Sequence, residues 1–196
     1  MSDKQKSTSK DILNLVGFII LVILGTLFIN EFIFRSFNVN GPSMEKTLYT
    51  NDRLIVNKLP VTWDHIRGKE YVPERGQVIV FRNPHYVSGA GEEFIVKRVI
   101  AFPGERVTVK NGLVTVYNKE HPKGFNPDKA FHNEPGYYTS NIVDTKVPKG
   151  ELFVMGDHRA GDYSLDSRNG LGTVPYKDII GPVEIRFFPF NKIRTF

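Results

Sequence analysis

The chain opens with a long apolar run and then breaks into short alternating ones. Residues 12–34, ILNLVGFIILVILGTLFINEFIF, are apolar on every side of a helix. At about 1.5 Å per residue such a helix reaches roughly 34 Å, enough for a hydrocarbon core of about 30 Å. Residues 15–29 hold no strongly polar side chain, and Glu31 falls near the far end, within reach of headgroups and water. A core helix of a soluble domain would be amphipathic, and this one is not. A cleaved leader would carry a small-x-small site after the apolar run, and NEFIFRSF offers none. The pattern predicts one permanent membrane span over 12–34 behind a polar tail, 1–11. Lys4, Lys6 and Lys10 precede the span. The positive-inside bias then keeps the tail in the cytoplasm and sends the rest across the plasma membrane.

After residue 37 the period shortens. RLIVNK (53–58), QVIVFR (77–82) and FIVKRVIAF (94–102) are rich in β-branched and aromatic residues, as strands are. ERVTVK and LVTVY flank Asn111-Gly112, a strong hairpin signal. ELFVMG and GPVEIRFF add strands near the end. Residues 118–149 are polar and punctuated by Pro and Gly, a loop-rich insertion too short for a core of its own. A smaller loop, 60–75, carries Trp63, which suits either a lipid interface or packing. The fold class is mainly β: one antiparallel, barrel-like domain over 35–196 on a single membrane helix.

Composition narrows the chemistry. The 196 residues include no cysteine, which removes thiol catalysis, disulfides and thiolate metal sites. The net charge of +5 is spread along the chain, unlike the dense basic stripe of a nucleic-acid binder. The five histidines, 65, 85, 121, 132 and 158, do not cluster in sequence, and no metal or other cofactor is expected.

The candidate chemistry begins in VNGPSMEKTL, residues 39–48. Ser43 has two possible bases. Lys46 stands at the S-x-x-K spacing of penicillin-binding enzymes, but neither S-D-N nor K-T-G accompanies it. Lys97 lies in a strand apolar on both faces, where a lysine must snorkel, pair or lose its charge. A lysine is a general base only when neutral near working pH, which requires burial to lower its ordinary pKa of about 10.4. Arg98, pointing to the other face of the strand, would add little to that. On this ground alone, a charged Lys97 at a sheet rim and a buried neutral one both stand. A Ser-His arrangement through His158 is disfavoured, because Asp157 is its sequence neighbour and would point the other way.

GPSMEKTL, VKRVIAFPGERV and MGDHRAGDYSLDSRNGLGTVP, in that order behind a membrane span, resemble the motif set of the type I signal peptidases. The resemblance covers the chain from about residue 15 to residue 190. It implies a membrane-bound serine endopeptidase that removes signal peptides from exported preproteins, with Ser43 as nucleophile and Lys97 as general base. It further implies that Ser164 orients the lysine, and that Asp157 with Arg159 and Asp166 with Arg168 form supporting ion pairs. Val39, Gly41, Met44, Leu48 and Val96 would bind substrate, with Val39 and Val96 lining a small pocket. The Ser43 N–H would give one oxyanion donor. The partners expected are signal peptides and the lipid bilayer, with no nucleic acid, no cofactor and a monomeric enzyme.

The sequence departs from the family pattern in places. Lys46 stands where proline is usual, and His158 replaces an asparagine. Four residues, AGDY, separate Arg159 from Ser164 where two are usual, and Gly41 leaves the second oxyanion donor unnamed. Two other classes compete: a tethered binding protein on the same scaffold, and a penicilloyl-serine enzyme using Lys46.

Overall fold

The computed structural model describes residues 2–89, 91–130 and 138–196; His132 lies outside them. Helix α1 (Ser2–Phe32) is followed by β1 (Phe34–Asn38), β2 (Arg53–Asn57), a short helix α2 (Leu59–Ile66), β3 (Val78–Arg82) and β4 (Phe94–Ala101). Then come the hairpin β5 (Arg106–Lys110) and β6 (Leu113–Tyr117), β7 (Val143–Lys146), β8 (Glu151–Met155), β9 (Val174–Pro175), β10 (Ile179–Phe188) and β11 (Arg194–Thr195).

The helix boundaries differ from the expected 12–34. No Pro or Gly interrupts residues 2–11, so the helix runs back through the polar tail. The stretch apolar enough to cross a membrane is Lys10–Phe32, 23 residues with none of its surface buried in the protein. At the other end Phe34 belongs to β1, opposite Asn57 of β2. Tertiary pairing ends the helix there: the Ile33 carbonyl accepts the Lys58 amide at 2.7 Å, and the Phe32 carbonyl accepts Thr62 Oγ1 at 3.0 Å. Orphan carbonyls of the last turn are thereby satisfied by the folded domain.

The strands form a large sheet ordered β1-β2-β10-β3-β4-β8-β9, with β11 beside β10, and a small sheet β6-β5-β7. Every named pairing is antiparallel. β10 pairs with β3 through its first residues, 179–182, and with β2 through 183–188. Register shifts along β10 and β4 curl the sheet into a half-barrel, the form the expected barrel-like domain takes. β3 explains its own unbroken apolar run: Val78 and Val80 enter one core cluster, Ile79 and Phe81 another, so both faces are covered. Asn111 and Gly112 turn the β5–β6 hairpin, both at positive φ as a type I′ turn demands.

Five elements escaped the sequence pattern: β1, α2, β7, β9 and β11. β7 lies inside the 118–149 insertion and joins the small sheet on β5, a strand with one covered face and no apolar run to announce it. α2 replaces the expected 60–75 loop over its first half, with Pro60 in its opening turn.

Gly181 marks where β10 passes closest to β2. A Cβ placed there would lie 2.1 Å from the Asn57 carbonyl oxygen. Gly181→Ala is expected to destabilise the chain by about 1–3 kcal/mol through overpacking, read as a lowered urea midpoint in detergent.

Candidate active site

Ser43 sits in the loop between β1 and β2, and that loop is held at every corner. Val39 N–H donates to the Asp52 carbonyl and Asn51 N–H to the Val39 carbonyl, closing its base. The Met44 carbonyl accepts both the Thr47 and Leu48 amides, and Gly41 turns the chain at φ 85°. Met44 and Leu48 are fully buried in a cluster with Leu54, Val56 and Val183. They were expected to touch substrate. Instead they are pegs driven into the core beneath the loop, because an apolar side chain there is better buried than exposed.

A second segment, 156–159, clamps the loop from the far end of β8. His158 N–H donates to the Ser43 carbonyl at 3.0 Å. Gly156 allows the approach: a Cβ there would lie 2.3 Å from the Ser43 carbonyl oxygen and 2.2 Å from Ser164 Oγ. The Thr47 hydroxyl donates to Asp157 Oδ2. Ser43 is therefore fixed by backbone contacts on one side and by a buried carboxylate on the other.

β4 delivers Lys97. Lys97 is 3% exposed, and its Nζ lies 2.8 Å from Ser43 Oγ and 2.8 Å from the Val96 carbonyl. Burial pushes the amine down to about 8; Asp166 and Asp157 oppose the shift, and Arg168 assists it. Lys46, by contrast, is exposed on a turn. The contact to Ser43 Oγ is made by Lys97. His158 stacks on Tyr163 with ring centroids 4.5 Å apart, and its Nδ1 is 3.3 Å from the Pro42 carbonyl.

Of the supporting residues, one expected pair forms and the other does not. Arg168 and Asp166 make a fully buried bidentate pair at 2.7 and 3.0 Å. Burial alone would raise the Asp166 carboxyl, but hydrogen bonds and charge from Arg168, with the Gly156 amide and Ser164, hold it below the usual carboxylate range. Asp157 and Arg159 separate, each pairing elsewhere. Asp157 takes Arg98 from β4 at 2.5 and 2.8 Å. Arg159, wholly buried, takes Asp128 of the insertion through two 2.6 Å contacts. Ser164 also departs from expectation: its hydroxyl donates to Asp166 Oδ2 at 2.7 Å rather than to Lys97, because that carboxylate reaches it first.

Ser43 and Lys97 open onto a cleft of about 300 Å³. Val39, Gly41 and Val96, the residues expected to bind substrate, line it. Phe37, Phe94, Tyr163 and Leu165 line it too, and went unnamed in the sequence. Phe94 shares the alternation of Val96 along β4 and could have been found that way; Tyr163 comes from the four-residue AGDY spacer. A buried amine of lowered pKa against a serine hydroxyl can accept the hydroxyl proton, which defines a site for nucleophilic hydrolysis without histidine. Among the described residues no three acidic or histidine side chains converge to hold a metal.

The chain matches the family described as signal peptidase, peptidase S26, over residues 12–188. It is 35% identical over 199 residues to signal peptidase I P of Bacillus subtilis subsp. natto, covering 99% of this chain and 98% of that protein. It is 36% identical over 200 residues to signal peptidase I of Bacillus amyloliquefaciens, covering 98% and 97%. Signal peptidase I S of Bacillus subtilis is 32% identical over 201 residues, covering 99% and 98%. The chain belongs to the signal peptidase family.

The lysine's burial has a stability signature. Between about pH 8 and 10.5 the unfolded chain binds the Lys97 proton and the folded chain does not, so stability rises with pH across that window. Below pH 8 the full penalty persists. Lys97→Met is expected to raise stability by about 3 kcal/mol at pH 7, with the gain shrinking toward pH 10.5, measured by urea unfolding at a series of pH values.

Proposed function

We propose that this chain cleaves the signal peptides of exported preproteins with Ser43 as nucleophile and Lys97 as general base. The observation that carries the reading is the 2.8 Å contact between Lys97 Nζ and Ser43 Oγ with the lysine buried. Neutral Lys97 takes the Ser43 proton as Oγ attacks the scissile carbonyl. The resulting oxyanion meets the Ser43 N–H, one donor of an oxyanion hole. Collapse transfers the proton from the Lys97 ammonium to the departing amine, the new N-terminus of the mature protein, and leaves an acyl-serine. Lys97 then deprotonates a water, which releases the signal peptide as a carboxylate and returns the proton to Ser43.

The substrate binds as an extended strand. β1 is paired on one side only, by β2, and the stretch 94–97 of β4 is paired only by β3. Both lie along the cleft, so main-chain groups on either side are open to a peptide laid between them. Val39 and Val96, with Phe37 and Phe94 behind, favour small residues at the first and third positions before the cut. Asp157, Arg159, Asp166, Arg168 and Ser164 position the two reacting residues. The catalytic unit, residues 35–196, works as a monomer, with every group named here drawn from one chain. α1 holds it at the outer face of the plasma membrane, N-terminus inside, a reading supported by the apolar span and the lysines before it.

Cleavage of one model preprotein in detergent tests the dyad. Ser43→Ala and Lys97→Ala are each expected to lower kcat by about 10³-fold or more, while Lys46→Ala keeps most activity. Activity lost in Lys46→Ala and kept in Lys97→Ala would sink the assignment. For the wild type, kcat/KM is expected to rise with pH and level off above about 8, as Lys97 loses its proton.

A further inference from the structure

α2 presents an apolar face that nothing among the described residues covers. Leu59, Trp63 and Ile66 follow one another at helical spacing and are 45, 55 and 70% exposed. On the opposite side Val61 packs on the core cluster around Ile79 and Phe81, so the helix is seated on the domain and its outer face is the one left open.

The position of that face follows from the membrane helix. The apolar span ends at Phe32, and a 23-residue span is about as long as the hydrocarbon core is thick. The Phe32 carbonyl therefore sits at the edge of the bilayer. Thr62 Oγ1 of α2 hydrogen-bonds to that same carbonyl at 3.0 Å, Lys58 N–H to the Ile33 carbonyl at 2.7 Å, and Lys58 Nζ lies 3.8 Å from Glu31. α2 is thus bound directly to the residues where the chain leaves the lipid. Its composition suits that depth. Trp63 is an interfacial residue by preference, with the Arg67 guanidinium 4.6 Å above its ring. Arg67 and Lys69, both exposed, stand where headgroup phosphates would be, while Asp64 is half-buried on the flank and Glu70 follows beyond.

We propose that the Leu59–Trp63–Ile66 face of α2 lies in the lipid interface as a second attachment of the catalytic domain to the bilayer. It rests on the reading of α1 as a membrane anchor. One covalent span leaves a domain free to swivel about its exit point. A second contact beside that point removes the freedom and fixes how the cleft faces a substrate lodged in the same membrane.

Trp63 is the chain's one tryptophan, so its fluorescence reports this face alone. The full-length chain carrying Ser43→Ala would be reconstituted in nanodiscs of phosphatidylglycerol and phosphatidylethanolamine, with and without brominated acyl chains. Co-migration of protein with discs reads the anchor, and Trp63 emission reads α2. The expected result is strong quenching by brominated lipid and iodide quenching reduced about threefold or more relative to the urea-unfolded chain. Leu59→Ser with Ile66→Asp is expected to reverse both while the chain still migrates with the discs. Discs that carry the protein but leave Trp63 open to iodide and untouched by bromolipid would overturn the proposal and spare the anchor. Trp63 shielded from iodide without bromolipid quenching would also overturn it, pointing to a protein contact instead. Failure to migrate with discs would overturn the anchor, and this proposal with it.

Discussion

The constraint on which the site depends is a primary amine held out of water without a carboxylate among the described residues touching it. Lys97 is buried to 3% exposure, and its two contacts are neutral oxygens, the Ser43 hydroxyl and the Val96 carbonyl. A carboxylate in contact would fix the proton on the lysine and end its use as a base. The acidic residues nearby are accordingly each matched to their own arginine: Asp157 to Arg98, Asp166 to Arg168. These pairs do more than stabilise. They absorb negative charge that would otherwise pull the Lys97 pKa back up, and both carboxylates still exert that pull from a distance.

The same pairs tie distant parts of the chain to the serine loop. Arg98 reaches from β4 to Asp157 beyond β8 and to the Gly76 carbonyl before β3. Thr47 of the loop lies on the same carboxylate. Asp128 reaches in from the insertion to Arg159, whose Nε donates to the Gly156 carbonyl and whose own carbonyl accepts Arg168 Nη1. Buried charges of this kind are costly to isolate, so each must be met in full, and among the described residues no buried side-chain polar atom lacks a partner. The insertion, loop-like in sequence, contributes one carboxylate that completes the network.

Much of this was legible beforehand, and the reasons differ by element. β2, β3, β4, β8 and β10 of the large sheet announced themselves through runs of β-branched and aromatic residues, and the hairpin because Asn111-Gly112 admits few other conformations. Ser43 and Lys97 were legible through motif order. Partnerships were harder. Asp157 and Arg159 stand two apart and were read as a pair, yet the backbone turns each toward a partner far away in sequence. Ser164 was placed on the lysine because local spacing cannot show that Asp166 is nearer. Met44 and Leu48 were read as substrate-binding residues of the Ser43 motif, whereas burial depends on which way a turn faces. β7 and α2 carry too little apolar pattern to be seen before their neighbours are known.

The divided pairing of β10 bears on when the site comes into being. One wall of the cleft is carried by β1 and β2, the other by β3 and β4, and in the sheet the two meet only across β10. That strand is the last long one in the chain. A polypeptide made N-terminus first can have its serine and its lysine synthesised for some time with no cleft between them. The two walls join once residues 179–188 arrive. Maturation of the protease is thus timed by the end of its own synthesis, and a truncated product stopping short of β10 would carry both residues with its two walls unjoined.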